Sequence, residues 1–216
     1  MLAQIGNGVA HNPVAIKDQV PPNIAVRRLR LSSWTDSERG PPPDPDTPLP
    51  EDASPLLTIS PERAADDAEA LALIDRVFGP GRYAKSAERL REGASFVREL
   101  SFVAREGGVV VGSVRLWPVK IGERPALLLG PIAVDPDARN KGLGAALVER
   151  ACEAAARSGH AVVVLVGDPP FFNRLGFEAL AAGAVFLPGP ADPRRILVRA
   201  LTPGALEGLA GAVTLP

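Results

Sequence analysis

The sequence predicts an α/β domain, a mixed central β-sheet flanked by helices, behind a disordered N-terminal tail. Three observations predict it. HAVVVLVGD, residues 160–168, is a near-continuous apolar run of strand length, so both its faces need cover, as in a sheet between helices. An Ala/Leu-rich helical stretch precedes it, and the strand-like PALLLGPIAV precedes that, which is the order of a β–α–β crossover. LSFVARE and GVVVGSVRLWPV, further upstream, are rich in β-branched residues and broken by Glu-Gly-Gly, which reads as a hairpin.

The totals bound the function. A chain of 216 residues holds one ordinary domain plus an appendage, and 46% hydrophobic with 23% charged residues is globular. A formal net charge of -1 gives no global field that recruits nucleic acid. No run approaches the roughly 20 apolar residues of a membrane span, and the N-terminus lacks the pattern of a secretory signal. A soluble, cytoplasmic protein is expected. Cys152 is the single cysteine, which excludes an intramolecular disulfide and a CxxC site; two histidines, His11 and His160, cannot build a His-rich zinc site, so no metal is expected.

The elements follow in order. Residues 1–54 form a Pro-rich tail in which GPPPDPDTPLPEDASP reads as extended, because proline lacks an amide donor and disfavours helix before it. Arg27, Arg28 and Arg30 in that tail are read as solvated rather than as a nucleic-acid contact. Residues 55–216 are the folded domain. Ser60-Pro61 makes an N-cap and N1 pair for a helix through Phe78, with Ala68, Leu71, Ala72, Ile74, Val77 and Phe78 at helical spacing and Gly-Pro-Gly ending it. KSAERLREG is a second, shorter helix closed by Gly93. Three strands follow, then a helix from about Gly142 to Ser158, the buried strand, one short helical turn in PPFFNRL, and closing strands in GFEAL, GAVFL and RRILVRAL.

The third helix opens on Gly142 and Gly144, and glycine inside a helix costs about 0.5–1 kcal/mol against alanine. Leu143, Leu147, Ala151 and Ala154 form one buried stripe, so packing can hold the helix and leave its first turn free. A helix N-terminus carries unpaired amides and about half a positive charge. Glycines let an anion approach those amides, with Arg139 and Lys141 beside them. The segment is built like a phosphate cradle; a tight turn is the plain alternative. No Gly-Lys-Ser/Thr closes it as a P-loop, and the third glycine of a dinucleotide fingerprint is missing.

Arg139-Asn140-Lys141-Gly142-Leu143-Gly144 resembles the Arg/Gln-x-x-Gly-x-Gly/Ala motif of the GNAT superfamily of acyl-CoA N-acyltransferases. The flanking LLLGPIAVD and HAVVVLVGD, then FFNRLGF, resemble the strand–loop–helix–strand core of that family, and residues 57–216 are similar to a bacterial subgroup of predicted acetyltransferases. The resemblance implies a GNAT-like sheet and an N-acetyltransferase that moves the acetyl group of acetyl-CoA to a primary amine by direct attack in a ternary complex. It implies that the pyrophosphate binds the amides of Asn140, Lys141, Gly142, Leu143, Gly144 and Ala145, with Arg139 opening the motif. It implies that the pantetheine arm pairs with Ile132, Ala133 and Val134, the Ile132 amide polarising the thioester carbonyl. An amine is the implied acceptor, in a pocket built by the N-terminal helices and the hairpin, with no nucleic-acid or membrane partner. A homodimer through an exposed strand edge is compatible with the sequence.

One departure bears on catalysis. Phe171 and Phe172 occupy the places where the subgroup often has a Tyr pair, the nearer being its general acid, and phenylalanine has no proton to donate. Asp168 is a candidate acid or base that reads first as an N-cap before Pro169; Glu99 is a candidate base or a surface group; Tyr83 is the single tyrosine, far away in sequence. Phe172 can also flank the coenzyme A thiol. The alternative function is therefore a non-catalytic acyl-CoA-binding or sensor module. Cys152 beside the helix stripe reads as a core side chain, His160 as a turn residue, and Trp117 as packing or the acceptor rim.

Overall fold

The computed structural model describes residues 56–84, 86–139 and 142–216; the tail expected over 1–54 lies outside the described residues, as do Lys85, Asn140 and Lys141. The strands are β1 (Leu57–Pro61), β2 (Phe102–Glu106), β3 (Val109–Ile121), β4 (Arg124–Val134), β5 (Val162–Val166), β6 (Val185–Phe186), β7 (Ile196–Ala200) and β8 (Gly211–Thr214). The α-helices are α1 (Asp67–Phe78), α2 (Ser86–Arg89), α3 (Leu143–Arg157) and α4 (Pro169–Phe172).

The sheet runs β1-β2-β3-β4-β5-β7, with β8 joined to β3 and β6. The expected hairpin is β2–β3, turning on Gly107 and Gly108, both at positive φ. β4–α3–β5 is the expected crossover, and β4 and β5 form the parallel pair on the main path. That pairing is short, covering Leu127↔Val163 and Leu128↔Val164. Beyond Leu128 the two strands diverge, and this splay positions the site. A register shift lies just past it. Val114 faces Ile132 and Leu116 faces Leu129, so Gly130 and Pro131 together oppose Arg115, a β-bulge in β4. The Trp117 indole N–H donates to the Gly130 carbonyl at 2.6 Å and satisfies it.

α3 packs on one face of the sheet. Its predicted stripe of Leu143, Leu147, Ala151 and Ala154 is buried, with Val148, Cys152 and Ala155. Glu153 pairs with Arg157 at 3.8 Å, as its i,i+4 spacing allows. α1 covers the other face through Ala70, Leu73 and Ile74, which pack on Val103, Val110 and Ala133.

Several expectations change. Ser60 and Pro61 do not cap a helix: they end β1, an edge strand where proline's missing donor costs no ladder bond, and α1 begins at Asp67 after a 3-10 turn. With the helix starting later, its inward stripe is Ala70-Leu73-Ile74 with the half-buried Val77, and Ala68, Leu71 and Ala72 face outward. α2 has four residues, followed by turns to Gly93. GFEAL contributes one isolated bridge, Glu178↔Val198, and the GAVFL strand is two residues long.

Candidate functional site

The diverging ends of β4 and β5 open two adjoining clefts, of about 530 and 690 Å³. Ile132, Asp168, Phe172 and Phe78 line both. The larger is closed by the start of α3 and the smaller by α2 and the loop before β7.

The backbone of β4 sets the chemistry along this edge. The Asp135 amide bonds back to the Val111 carbonyl on β3 at 2.9 Å. Backbone groups in an antiparallel ladder alternate in direction. Ala133, paired with Ser113, therefore also turns its N–H and C=O toward β3, while Ile132 and Val134 turn theirs away from it. The Val134 carbonyl fits this, because it accepts from Arg139 Nε at 3.4 Å outside the ladder. β5 pairs no further than Leu128 and leaves this edge to the cleft. Of the three positions expected to meet a pantetheine arm, Ile132 and Val134 face the cleft. Ala133 does not: its side chain is buried under α1 and its amide is turned to β3.

The edge leads to the N-terminus of α3. Gly142 stands at the N-cap with φ +72°, and a Cβ there would meet nothing within 4 Å, so the space beside it is open. Its carbonyl already accepts from the Ala146 amide, and the amides of Leu143, Gly144 and Ala145 belong to the first turn, which has no intrahelical acceptors. Gly142, Leu143, Gly144, Ala145 and Arg139 all line the larger cleft. A Cβ on Gly144 would meet Phe171, Val134 and Ile132 at ordinary contact distances, so the helix start lies beside the strand edge.

Asp168 is exposed at the end of β5 and occupies the N-cap position of α4, where its carbonyl accepts from the Phe171 and Phe172 amides at 3.1 Å each. Its carboxylate makes no capping bond, and it has no ion pair among the described residues. Phe172, 7% exposed, packs edge-on to Phe171 at 4.8 Å and to Phe177 at 5.8 Å. Glu99 is exposed in a 3-10 turn leading into β2, two strands from the splay, and lines neither cleft. Tyr83 is 54% exposed with its hydroxyl accepting from Arg82 Nη2 at 2.7 Å, and it too stands outside the cleft linings. Cys152 is 1% exposed, and burial pushes its thiol up to about 12, as befits a core side chain.

Sequence reasoning missed the charged wall of the smaller cleft. Arg82 donates to Asp75 at 3.0 Å and to Glu88 at 2.8 Å, and Glu88 also accepts from Arg91 Nη2. Burial pulls the Arg91 guanidinium below its ordinary value, and its pairing with Glu88 works against that. Arg195 donates to the Gly167 carbonyl at 3.1 Å. No local pattern marks these residues, since they converge only when α2 and the loop before β7 fold over the splay. Among the described residues no group of three or more His, Cys, Asp or Glu side chains is placed to hold a metal, and no helix is long and apolar enough to cross a membrane.

Known proteins share this arrangement. The family model described as an acetyltransferase (GNAT) domain matches residues 98–179, which spans β2 to the turn after α4. YhbS of Escherichia coli (strain K12), an uncharacterized N-acetyltransferase, is 33% identical over 145 residues, which is 66% of this chain and 86% of that protein. The crystal structure of YhbS from Escherichia coli in complex with CoA superposes with a TM-score of 0.66 at 29% identity, covering 78% of this chain and 93% of that one. A GNAT-family acetyltransferase from Staphylococcus aureus, at 15% identity and a TM-score of 0.53 over 68% of this chain and 99% of that one, shares the fold. The splayed parallel pair, the glycine-led helix and a relative matched over most of its length lead to one assignment: this chain belongs to the GNAT family of acetyltransferases.

Proposed function

We propose that the protein is an acetyl-CoA-dependent N-acetyltransferase that acts on a primary amine by direct attack with both substrates bound. One observation carries this reading: the unpaired β4 edge at Ile132 and Val134 runs into the open, glycine-led N-terminus of α3. The CoA held by the Escherichia coli relative supports the same ligand here. When bound, acetyl-CoA supplies a thioester already activated toward an amine. Gly142, Leu143, Gly144 and Ala145 offer amides to its pyrophosphate beside the Arg139 guanidinium. Asn140 and Lys141, outside the described residues, take the same role by the motif they share. In this reading residues 55–216 carry the activity and residues 1–54 are an appendage.

The chain's own groups then divide the work. The Ile132 amide donates to the carbonyl oxygen as charge develops there, an effect worth about 2.7–4 kcal/mol of barrier. Val134 extends the same edge. Asp168, exposed and unpaired at the cleft, takes the proton of the incoming ammonium. Phe172 has no proton to give, so departure of the thiol, whose ordinary pKa is about 8.5, is left to solvent. Phe172 instead walls the cleft and excludes water from it.

Calorimetric titration of the full chain with acetyl-CoA tests the cradle. The parent is expected to bind at micromolar Kd, about -8 kcal/mol. Gly142→Glu, which places a carboxylate where the pyrophosphate belongs, is expected to lose binding at least about tenfold while keeping its circular dichroism. A folded parent that does not bind acetyl-CoA would overturn the reading. A second reading, acyl-CoA binding without turnover, is favoured by Phe172 in the acid position. Thiol release with a panel of amines separates the two, since a pure binding module takes up acetyl-CoA and releases none.

A further inference from the structure

We propose that the acceptor is an amino acid or a closely similar zwitterion, with its carboxylate held by Arg91 and its amine presented to Asp168. The inference rests on the acetyltransferase reading and names its substrate class.

Two groups of opposite charge, an arginine with unused donors and a free carboxylate, line one cleft of about 530 Å³. On the β4 side stands Arg91. Its side chain is 11% exposed, and Nη2 is engaged by Glu88. Nη1 makes no hydrogen bond among the described residues. It lies 3.2 Å from the point that a Cβ on Gly130 would occupy, so it rests against the bulge next to the reactive Ile132 edge. Gly130, at φ +137°, keeps that approach free of a side chain. The one carboxylate near Arg91 is already shared, because Glu88 also receives Arg82 Nη1 at 2.8 Å. The buried guanidinium is left short of acceptors, and burial makes its charge costly. A ligand carboxylate at Nη1 answers both.

On the β5 side the acids differ in availability. Asp192 is engaged by Arg194 through two side-chain bonds, at 3.1 and 2.9 Å. Asp168 has no such partner among the described residues. Arg195, tied by Nε to the Gly167 carbonyl, adds positive charge on this wall. One free acid, in a cleft also lined by arginines, suits a single ammonium group whose molecule also carries a negative charge. It does not suit a polyamine, which would need several free acids. The balanced step is simple. The amine nitrogen bonds to the acyl carbon and the carbon–sulfur bond breaks. The sulfur leaves with the bonding pair as the thiol or thiolate of coenzyme A, and the proton lost from the amine passes through Asp168 to solvent.

The test uses the full chain with saturating acetyl-CoA and follows thiol release. Each common amino acid is compared with its own primary amide, and simple alkylamines and polyamines complete the set. The expected result is a kcat/KM at least about tenfold higher for acid than for amide, with the difference mainly in KM. Arg91→Gln is expected to bring the pair to near parity, and Arg91→Lys to restore part of the preference; should the Gln variant not fold, the parent's selectivity and the Lys variant decide. Amides, alkylamines or polyamines accepted as well as the acids would overturn the inference, as would no acetylation of any amino acid. Calorimetry on the parent separates the levels. Failure of selectivity in a protein that binds acetyl-CoA sinks the acceptor class alone. Failure to bind acetyl-CoA sinks the acetyltransferase reading and this inference with it.

Discussion

A Cβ on Gly167 would stand 2.2 Å from Phe172 Cε2 and 2.8 Å from Leu165 Cδ1. The glycine is therefore demanded by the Phe172 ring beside it, at the point where β5 leaves the sheet. Gly167→Ala is expected to destabilise by about 1–3 kcal/mol through overpacking. Combined with Phe172→Leu, it should cost less than the sum of the two, a coupling of roughly 0.5–3 kcal/mol readable from urea midpoints. Gly142 is the opposite case: open space surrounds it, and only its positive φ resists substitution. Cys152 allows a pH prediction. Burial raises its thiol to about 12, so the fold favours the neutral form. That contribution is complete below about pH 8.5, the unfolded value, and is lost as pH climbs toward the folded one. A disulfide reagent at pH 8 is expected to leave native Cys152 unmodified and to label it on unfolding; rapid labelling of the native protein would contradict this.

The approach to α1 is held by ions rather than by helix caps. Glu62, with a fully buried side chain, accepts from Arg115 Nη2 at 2.5 Å, and Asp66 accepts from Arg105 at 2.8 Å. These contacts join β1 and the start of α1 to β2 and β3. Arg115→Met would leave Glu62 buried and unpaired, a loss of about 3–5 kcal/mol expected in urea denaturation at pH 7. At Asp66 burial pushes the carboxyl up, but the Arg63 amide and the Arg105 guanidinium outweigh it and hold the group below its ordinary value. Arg98 does the same for Asp67. Depressed carboxylates give stability that is full above the unfolded pKa of about 3.9 and lost as pH falls through the folded values. Stability should thus fall mainly below pH 4, and Arg105→Gln should flatten that acid limb. None of this network was legible in the sequence. β1 has five residues, and its partner lies some way along the chain, Leu57 facing Glu106. Ser60-Pro61 offers a local helix signal that long-range pairing overrides. α3 was legible because its stripe repeats over fifteen residues.

At the scale of the molecule, the site is a gap between two strands, held open because β4 and β5 pair over two residues and then part. A ligand that bridges the gap binds the folded chain and not the unfolded one. Acetyl-CoA at a hundredfold excess over Kd should therefore add about 2.7 kcal/mol of stability. The melting midpoint of the parent is expected to rise by several degrees, and that of Gly142→Glu to rise by about half as much or less. An equal rise in both would place the ligand elsewhere.

By itself the sequence determined the β2–β3 hairpin, the β4–α3–β5 crossover and the glycine-led helix start. Each is written in a contiguous pattern of period, turn residue or motif, and short-range forces act on contiguous residues. Tertiary structure alone decided which way each backbone group of β4 points, and so that Ile132 and Val134 face the cleft while Ala133 does not. It also decided that Glu99 lies two strands away and that Arg82, Arg91 and Arg195 line the same cleft as Asp168. Those outcomes depend on strand register and splay, where a shift of one residue reverses every direction, and residues remote in sequence set both.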